Sequence, residues 1–261
     1  MARLIVLPSR LNANDLPSLV VLTMAPVPPK IITCIEVTWI HGRERSHRRL
    51  HGLVCISNIM NSLHWNNAYS SKRVHERSWS ESGASDSLAE LISSEIGKQD
   101  AIIDIGGGSS TFVDSLLEDS FTNVSVLDIS GTAIDEARHR IGLEEAKVSW
   151  IVADVLTWKP QIRFQYWNDR AVFHFLVDPI DQRKYVEKVR EATKSGSHIV
   201  IATFSPEGPE SCSGLPVQRW SAEQLSALFE DFCTVVSQTE YNHVTPWGST
   251  QSFMRLHLKR N

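Results

Sequence analysis

Residues 101–110 read Ala-Ile-Ile-Asp-Ile-Gly-Gly-Gly-Ser-Ser, a short apolar run that leads directly into three glycines. The apolar run predicts a buried strand, and the apolar stripe that begins at Phe112 predicts a helix beyond the glycines. Glycines in such a turn let the backbone approach a ligand, and the first N–H groups of the helix face that ligand. The turn therefore predicts a binding site for a nucleotide-like molecule.

Short apolar runs and helical stripes continue to alternate beyond this turn. This alternation is typical of βαβ units around a mostly parallel sheet. The last two apolar runs are expected to form an antiparallel pair at one edge. The seven predicted strands span residues 101–105, 124–128, 148–152, 164–167, 198–202, 234–236 and 253–258.

The chain divides by composition near residue 60. Residues 1–59 carry a formal charge of +4 and show neither helical nor strand periodicity, which predicts a poorly ordered extension. A targeting segment and an artefact of the gene start are alternatives for this stretch, which includes the His/Arg-rich residues 41–51. Residues 60–261 carry a charge of −8 and are predicted to form a single catalytic domain.

Charge and composition exclude several classes of function. An acidic domain lacks the Lys/Arg-rich face that binds phosphates, so we expect no nucleic-acid partner. The sequence has no stretch of about 18 uninterrupted apolar residues, so we expect no membrane span and a cytoplasmic protein. The 4 cysteines form no C-x-x-C pair, which argues against a zinc site or a disulfide framework. We therefore predict no metal, and a small molecule or a protein as substrate.

Three acidic residues mark the ends of successive predicted strands. Asp104 lies two residues before the glycines, Asp128 closes the second strand, and Asp154 follows the third. A carboxylate at Asp104 suits a cationic ligand group such as an ammonium, and one at Asp128 suits ribose hydroxyls. The dinucleotide fingerprint G-x-G-x-x-G places Thr111 where its third glycine belongs, which argues against a nicotinamide cofactor.

These stretches resemble the successive motifs of the class I S-adenosylmethionine-dependent methyltransferases, and others are similar to a bacterial-type group of small methyltransferases. The first set comprises residues 103–110, 126–130 and 153–155, and the second comprises residues 64–70, 168–176 and 243–248. The resemblance spans roughly residues 60–261. It implies a Rossmann-like α/β fold with sheet order 3-2-1-4-5-7-6, strand 7 antiparallel and helices on both faces.

The same resemblance implies an enzyme that transfers a methyl group from S-adenosylmethionine. An NAD(P)-dependent oxidoreductase and a non-catalytic S-adenosylmethionine-binding protein are the alternatives. By the resemblance, Asp104 would hold the methionine ammonium and Asp128 the ribose, while Asp154 and Val155 would contact adenine. Two aromatic residues would cover the cofactor from the N-terminal side. The predicted cofactor-binding residues are Asp104, Gly106, Gly107, Gly108, Asp128, Ile129, Asp154, Val155, Asn168, Trp65 and Tyr69.

Chemistry is expected beside the end of strand four, where an open sheet of this kind forms its ligand crevice. Asp169, Arg170 and His174 are the predicted catalytic residues, with His174 as a general base near neutral pH. Packing of His174 on a helix face is the alternative. The sequence lacks the [Asp/Asn]-Pro-Pro-[Tyr/Phe] and Pro-Cys motifs of base methylation. The predicted acceptor is therefore an O, N or S atom of a small molecule, or a protein side chain.

Overall fold

The structure is a computed structural model that describes residues 20–22, 34–39, 52–71, 73, 76–78 and 85–261. The chain divides into two units, residues 1–64 and residues 65–261. None of the described helices is long and apolar enough to cross a membrane.

In the first unit, three strands form an antiparallel sheet in the order β1-β2-β3. They are β1 (Val20–Leu22), β2 (Cys34–Trp39) and β3 (Gly52–Cys55). No periodicity in the sequence predicts these strands. The His/Arg-rich residues 41–51 lie outside the described residues, as does much of the predicted extension.

The remaining helices and strands carry the rest of the fold. The helices are α1 (Ile56–Ser71), α2 (Ser85–Ser93), α3 (Phe112–Glu118), α4 (Gly131–Ile141), α5 (Pro179–Ala192) and α6 (Ala222–Ala227). Short 3₁₀ helices span Gly142–Lys147 and Phe173–Phe175. The strands are β4 (Ile102–Ile105), β5 (Val124–Asp128), β6 (Val148–Val152), β7 (Phe164–Arg170), β8 (Thr193–Phe204), β9 (Ser211–Cys212), β10 (Leu215–Pro216), β11 (Cys233–Val244) and β12 (Thr250–Arg260).

The seven-stranded sheet confirms the predicted order. From one edge to the other the strands run β6-β5-β4-β7-β8-β12-β11. The strands from β6 to β8 pair in parallel, and β12 is antiparallel to both of its neighbours. Since the chain order reverses between β4 and β7, a crevice opens at the carboxyl ends of these two strands, where ligands bind in folds of this type.

Alternate residues of the strands face two separate cores. Ile103 and Ile105 of β4 pack with Trp167 of β7 under the helices α5 and α6. Ile102 and Tyr166 face the other way and pack under α2, α3 and α4. Because successive side chains of a strand point to opposite faces, the position of a polar residue along the strand decides which core it meets.

Several strands extend beyond their predicted ends. Strand β7 continues through Arg170, which lies opposite Ala202 of β8 in the ladder. Strand β11 has 12 residues, whereas the sequence predicted three. The prediction was too short because most of the side chains of β11 are exposed and show no apolar alternation. Among the described strands it is the outermost of its sheet and pairs with β12 alone, and its register shifts between Val235 and Ser237. The parts of β7 and β11 beyond their predicted ends are strands because they pair with a neighbouring strand, and their apolar content does not reveal them.

Candidate functional site

The three glycines form the turn between β4 and α3, at the centre of the carboxyl edge of the sheet. Gly106 has a φ of +65° and its N–H donates to the carbonyl of Leu127, 2.7 Å away. A Cβ atom on Gly107 would lie 2.5 Å from Oδ2 of Asp104, and one on Gly108 would lie 2.6 Å from Oδ2 of Asp128. No side chain fits at either position, so the loop presents bare backbone between two carboxylates.

Asp104 is the next-to-last residue of β4 and is 3% exposed. It lies opposite Asn168 in the ladder with β7, and the Asn168 side-chain amide donates to Oδ1 of Asp104 at 2.7 Å. Both residues face a small cavity beside the glycine loop. Its lining consists of Ser87, Asp104, Ile105, Gly106, Gly107, Ser110, Phe112, Asn168 and Arg170. The structure thus brings the predicted Asp104, Asn168 and Arg170 together with the loop.

Asp128 is the last residue of β5 and lies beside the third glycine. Its Oδ1 accepts from the backbone N–H of Ser130 at 2.7 Å. Burial, with a further contribution from the negative charge of Asp104, raises the pKa of Asp128 to about 7. The carboxylate is therefore held in a dry position where a hydrogen-bond donor of a ligand would stabilise its charge.

Asp154 and Val155 lie just past β6, next to the end of β5. The N–H of Ala153 donates to the carbonyl of Asp128 at 2.9 Å, which fixes this loop to the neighbouring strand. Oδ1 of Asp154 accepts from the N–H of Leu156 at 2.9 Å, and partial burial raises the pKa of Asp154. The three predicted acidic residues therefore follow one another along the edge of the sheet.

The second half of α1 supplies the aromatic residues predicted to cover the cofactor. The Tyr69 hydroxyl would lie 2.9 Å from a Cβ atom placed on Gly108, so its ring stands over the glycine loop. Trp65 packs edge-on against Phe175, with 5.1 Å between ring centroids. Asn66 ties this part of the helix to the rim, since its Oδ1 accepts from the Ser130 hydroxyl at 2.8 Å.

Of the three predicted catalytic residues, Asp169 points away from the cavity. Its neighbours Asn168 and Arg170 line the cavity, and the alternation along β7 turns Asp169 to the opposite face. There it is fully buried and accepts from the Val172 N–H at 2.8 Å and from the Tyr185 hydroxyl. Burial raises the pKa of Asp169 to about 7. These contacts indicate that Asp169 fastens the turn after β7.

His174 lies in the 3₁₀ helix after β7 and is completely buried. Its ring packs between Phe175 and Phe204, with centroid distances of 4.4 Å and 4.8 Å. Neither ring nitrogen has a hydrogen-bond partner, and burial lowers the pKa of His174 to about 3. This geometry favours the packing alternative over a general base near neutral pH.

Sequence reasoning missed two arginines that hold the glycine loop. Arg77 donates to the Ser109 hydroxyl at 3.1 Å and forms an ion pair with Glu136. Arg140 donates to the carbonyls of Ser109 and Ser110 at 2.9 Å and 2.7 Å. No motif marks either residue in the sequence, because each acts through a contact made only in the folded chain. Among the described residues, no group of three or more His, Cys, Asp or Glu is placed to hold a metal ion.

Comparison with known families agrees with this geometry. The family described as "Methyltransferase domain" matches residues 102–196, which include the glycine loop, Asp104 and Asp128. Residues 102–196 are therefore similar to a methyltransferase domain. No curated protein sequence matches the chain.

Many solved structures share the fold of this chain. One is the 1,6-didemethyltoxoflavin-N1-methyltransferase of Burkholderia thailandensis, with a TM-score of 0.60 at 13% identity over 96% of this chain and 98% of that one. The N-methyltransferase NodS of Bradyrhizobium japonicum WM9 gives a TM-score of 0.58 at 14% identity over 75% and 97%. A structure described under the conversion of a disulfide bond into a thioacetal group during echinomycin biosynthesis gives 0.61 at 20% identity over 77% and 93%.

Proposed function

We propose that this methyltransferase domain transfers the methyl group of S-adenosylmethionine to a small-molecule acceptor beside the end of β7. The observation that carries the cofactor assignment is the pair of buried carboxylates, Asp104 and Asp128, on either side of a glycine loop that admits no side chain. Such a rim suits a ligand that has a cationic group at one end of a slender chain and a ribose at the other.

The residues of the rim fit the parts of S-adenosylmethionine in the order in which they lie. Asp104 would hold the ammonium group, the backbone of Gly106 to Gly108 would face the methionyl chain, and Asp128 would accept from the ribose hydroxyls. Ile129, Asp154 and Val155 would surround adenine, and Trp65 with Tyr69 would cover the cofactor. Asn168 orients the Asp104 carboxylate through its side-chain amide.

When bound, S-adenosylmethionine supplies a methyl group on a sulfonium that is already activated for displacement. The protein's contribution is then alignment of the acceptor, which is worth roughly 7–11 kcal/mol in well-oriented reactions. Arg170 lines the cavity, and its side chain provides a positive charge for orienting an acceptor there. Proton removal by His174 is a separate prediction that its burial does not favour.

The segment after β8 supports a small acceptor, because it folds over the end of that strand. The N–H of Trp220 donates to the Phe204 carbonyl at 2.9 Å, and the N–H of Gln218 donates to the His174 carbonyl at 2.8 Å. These two hydrogen bonds hold the segment against the end of β8 and against the turn after β7, next to the proposed position of the acceptor. A protein side chain is the second acceptor class, and product analysis separates the two.

Ligand-induced stabilisation tests the cofactor assignment. S-adenosylhomocysteine at 100 times its dissociation constant stabilises a protein by about 2.7 kcal/mol, so we expect it to raise the melting temperature. NAD at the same concentration is expected to have no effect. The proposal fails if NAD stabilises the protein and S-adenosylhomocysteine does not, or if Asp128→Ala binds S-adenosylhomocysteine as tightly as the wild type.

Labelled S-adenosylmethionine identifies the acceptor class. The wild-type protein is incubated with a small-metabolite fraction and, separately, with the protein fraction of a lysate. Label in a small molecule supports the proposal, and label confined to protein replaces the small-molecule acceptor with a side chain. Cofactor binding without labelled product in either fraction supports a non-catalytic binding protein instead.

A further inference from the structure

We propose that the ion pair of Arg77 and Glu136 positions the cofactor, because it locks Tyr69 and the glycine loop in the geometry that receives S-adenosylmethionine. Neither residue belongs to the rim itself. The inference rests on the proposed function, since it assigns a role in binding that cofactor.

Arg77 joins three separate parts of the domain through one guanidinium group. Both of its terminal nitrogens donate to the Glu136 carboxylate of α4, each at 2.8 Å. The same nitrogens donate to the Ser109 hydroxyl of the glycine loop at 3.1 Å and to the Tyr69 carbonyl of α1 at 3.0 Å. A planar fork with five N–H donors makes such simultaneous contacts, which a lysine ammonium does not reproduce.

The guanidinium also fixes the ring that covers the loop. It lies over the Tyr69 ring at 4.8 Å from the centroid, and the Tyr69 hydroxyl stands above Gly108 beside Asp128. Arg77 therefore restrains Tyr69 at both its carbonyl and its ring. Rotation of that ring would change the space beside Gly108 and Asp128.

The low exposure of both side chains distinguishes this pair from the ion pairs at the protein surface. The Arg77 side chain is 3% exposed and that of Glu136 is 29% exposed. A buried pair is a weak source of stability, since the loss of hydration offsets the attraction, and well-packed apolar residues replace such pairs without loss of stability. A pair that adds little stability and fixes two parts of a binding site is better explained by positioning.

A paired replacement separates positioning from folding. Arg77→Met/Glu136→Met removes both charges, so no buried charge is left without a partner, and the contacts to Ser109 and Tyr69 are lost. The matched control is Arg138→Met/Glu145→Met, which removes an ion pair that also involves α4 but is 46% and 36% exposed. Calorimetric titration with S-adenosylhomocysteine gives the affinity, and scanning calorimetry without ligand gives the melting temperature.

We expect the Arg77/Glu136 double variant to bind S-adenosylhomocysteine roughly tenfold or more weakly, while its unliganded melting temperature does not fall. The control is expected to bind as the wild type does. Amide exchange in residues 65–71 should also quicken in the saturated double variant, a local change that a global loss of stability does not produce.

Unchanged affinity in the double variant overturns the inference. If that variant does not fold, Arg77→Lys decides, because it keeps the positive charge beside Glu136 and loses the fork; we expect about fivefold weaker binding, and unchanged binding overturns the inference equally. Absence of S-adenosylhomocysteine binding in the wild type would instead refute the proposed function, so the two failures are distinct.

Discussion

The two sides of the carboxyl edge of the sheet differ in how their side chains are held. On the side proposed to bind the cofactor, at the ends of β4, β5 and β6, carboxylates receive hydrogen bonds from backbone or amide N–H groups. On the side proposed to receive the acceptor, after β7, Asp169 and His174 are buried in the protein itself. Polar residues near a ligand site thus serve two purposes, and only their contacts distinguish ligand recognition from the shaping of a turn.

Exchange of aspartate for asparagine at two neighbouring positions should give the largest contrast between these sides. Asp104→Asn keeps the shape of the side chain and removes the charge expected to hold the ammonium group. A hydrogen bond to a charged group contributes about 1.5–3 kcal/mol, so we expect binding of S-adenosylhomocysteine to weaken by on the order of 100-fold. Calorimetric titration measures this loss.

Asp169→Asn is the control for that experiment, because it lies one residue beyond the ladder partner of Asp104 but faces the other core. We expect it to lower the melting temperature and leave the affinity for S-adenosylhomocysteine almost unchanged. An Asp169→Asn variant that loses affinity as strongly as Asp104→Asn would erase the distinction between the two sides.

Alanine substitutions at two glycines test whether the glycine loop must lie close to its ligand. Gly108 and Gly142 both have positive φ values, +37° and +66°, so both variants carry backbone strain. A Cβ atom at Gly108 would meet Asp128 and Tyr69, whereas nothing lies within 4 Å of one at Gly142. We expect Gly142→Ala to lose about 1 kcal/mol of stability and Gly108→Ala to lose more, because its Cβ atom also displaces neighbouring side chains. Only Gly108→Ala is expected to bind S-adenosylhomocysteine at least tenfold more weakly. Equal affinities would show that the loop tolerates a side chain.

The pH dependence of cofactor binding follows from Asp128. Its pKa is raised from 3.8 to about 7, so its contribution to stability is fully present below 3.8 and is lost as the pH rises through 7. Binding to ribose hydroxyls needs the ionised form, which a ligand then stabilises. We expect the affinity for S-adenosylhomocysteine to fall about tenfold between pH 8 and pH 6, as the ionised fraction falls. Asp128→Asn should bind weakly with a flat profile, and a wild-type profile equally flat would contradict the assignment.

The smallest effect on binding is expected at His174, on the acceptor side. His174→Phe removes two buried nitrogens that have no partner, so we expect a higher melting temperature and unchanged affinity for S-adenosylhomocysteine. Because the pKa of His174 is lowered from 6.5 to about 3, its contribution to stability is present above pH 6.5 and is lost as the pH falls toward 3. The variant should therefore lose less stability in acid, as measured by melting curves from pH 7 to pH 4. Loss of methyl transfer with unchanged melting would restore His174 as a base.

The difference between the two sides of the sheet edge also explains which features of the fold and the site the sequence predicts. The positions of the seven strands and of Asp104, Asp128 and Asp154 depend on local patterns, since residues at the end of a parallel strand lie at the rim, whereas the order of the strands followed from the resemblance to a known family. The face of Asp169 depends on the exact register of β7, which extends past its apolar residues. The role of Arg77 depends on contacts with residues 32 and 59 positions away, which no local pattern encodes.

The irregular pairing of β11 has a consequence for solubility. A strand of 12 residues at the edge of a sheet offers a row of unpaired N–H and C=O groups with which another chain can pair. The exposed Val235 and Val236 add apolar surface to this edge. The register shift between Val235 and Ser237 falls at these two valines and interrupts a regular template just where it is most apolar. Val236 is the residue that this shift leaves outside the regular register, so we expect its deletion to restore a regular edge and to favour the growth of aggregates even where the folded domain remains stable.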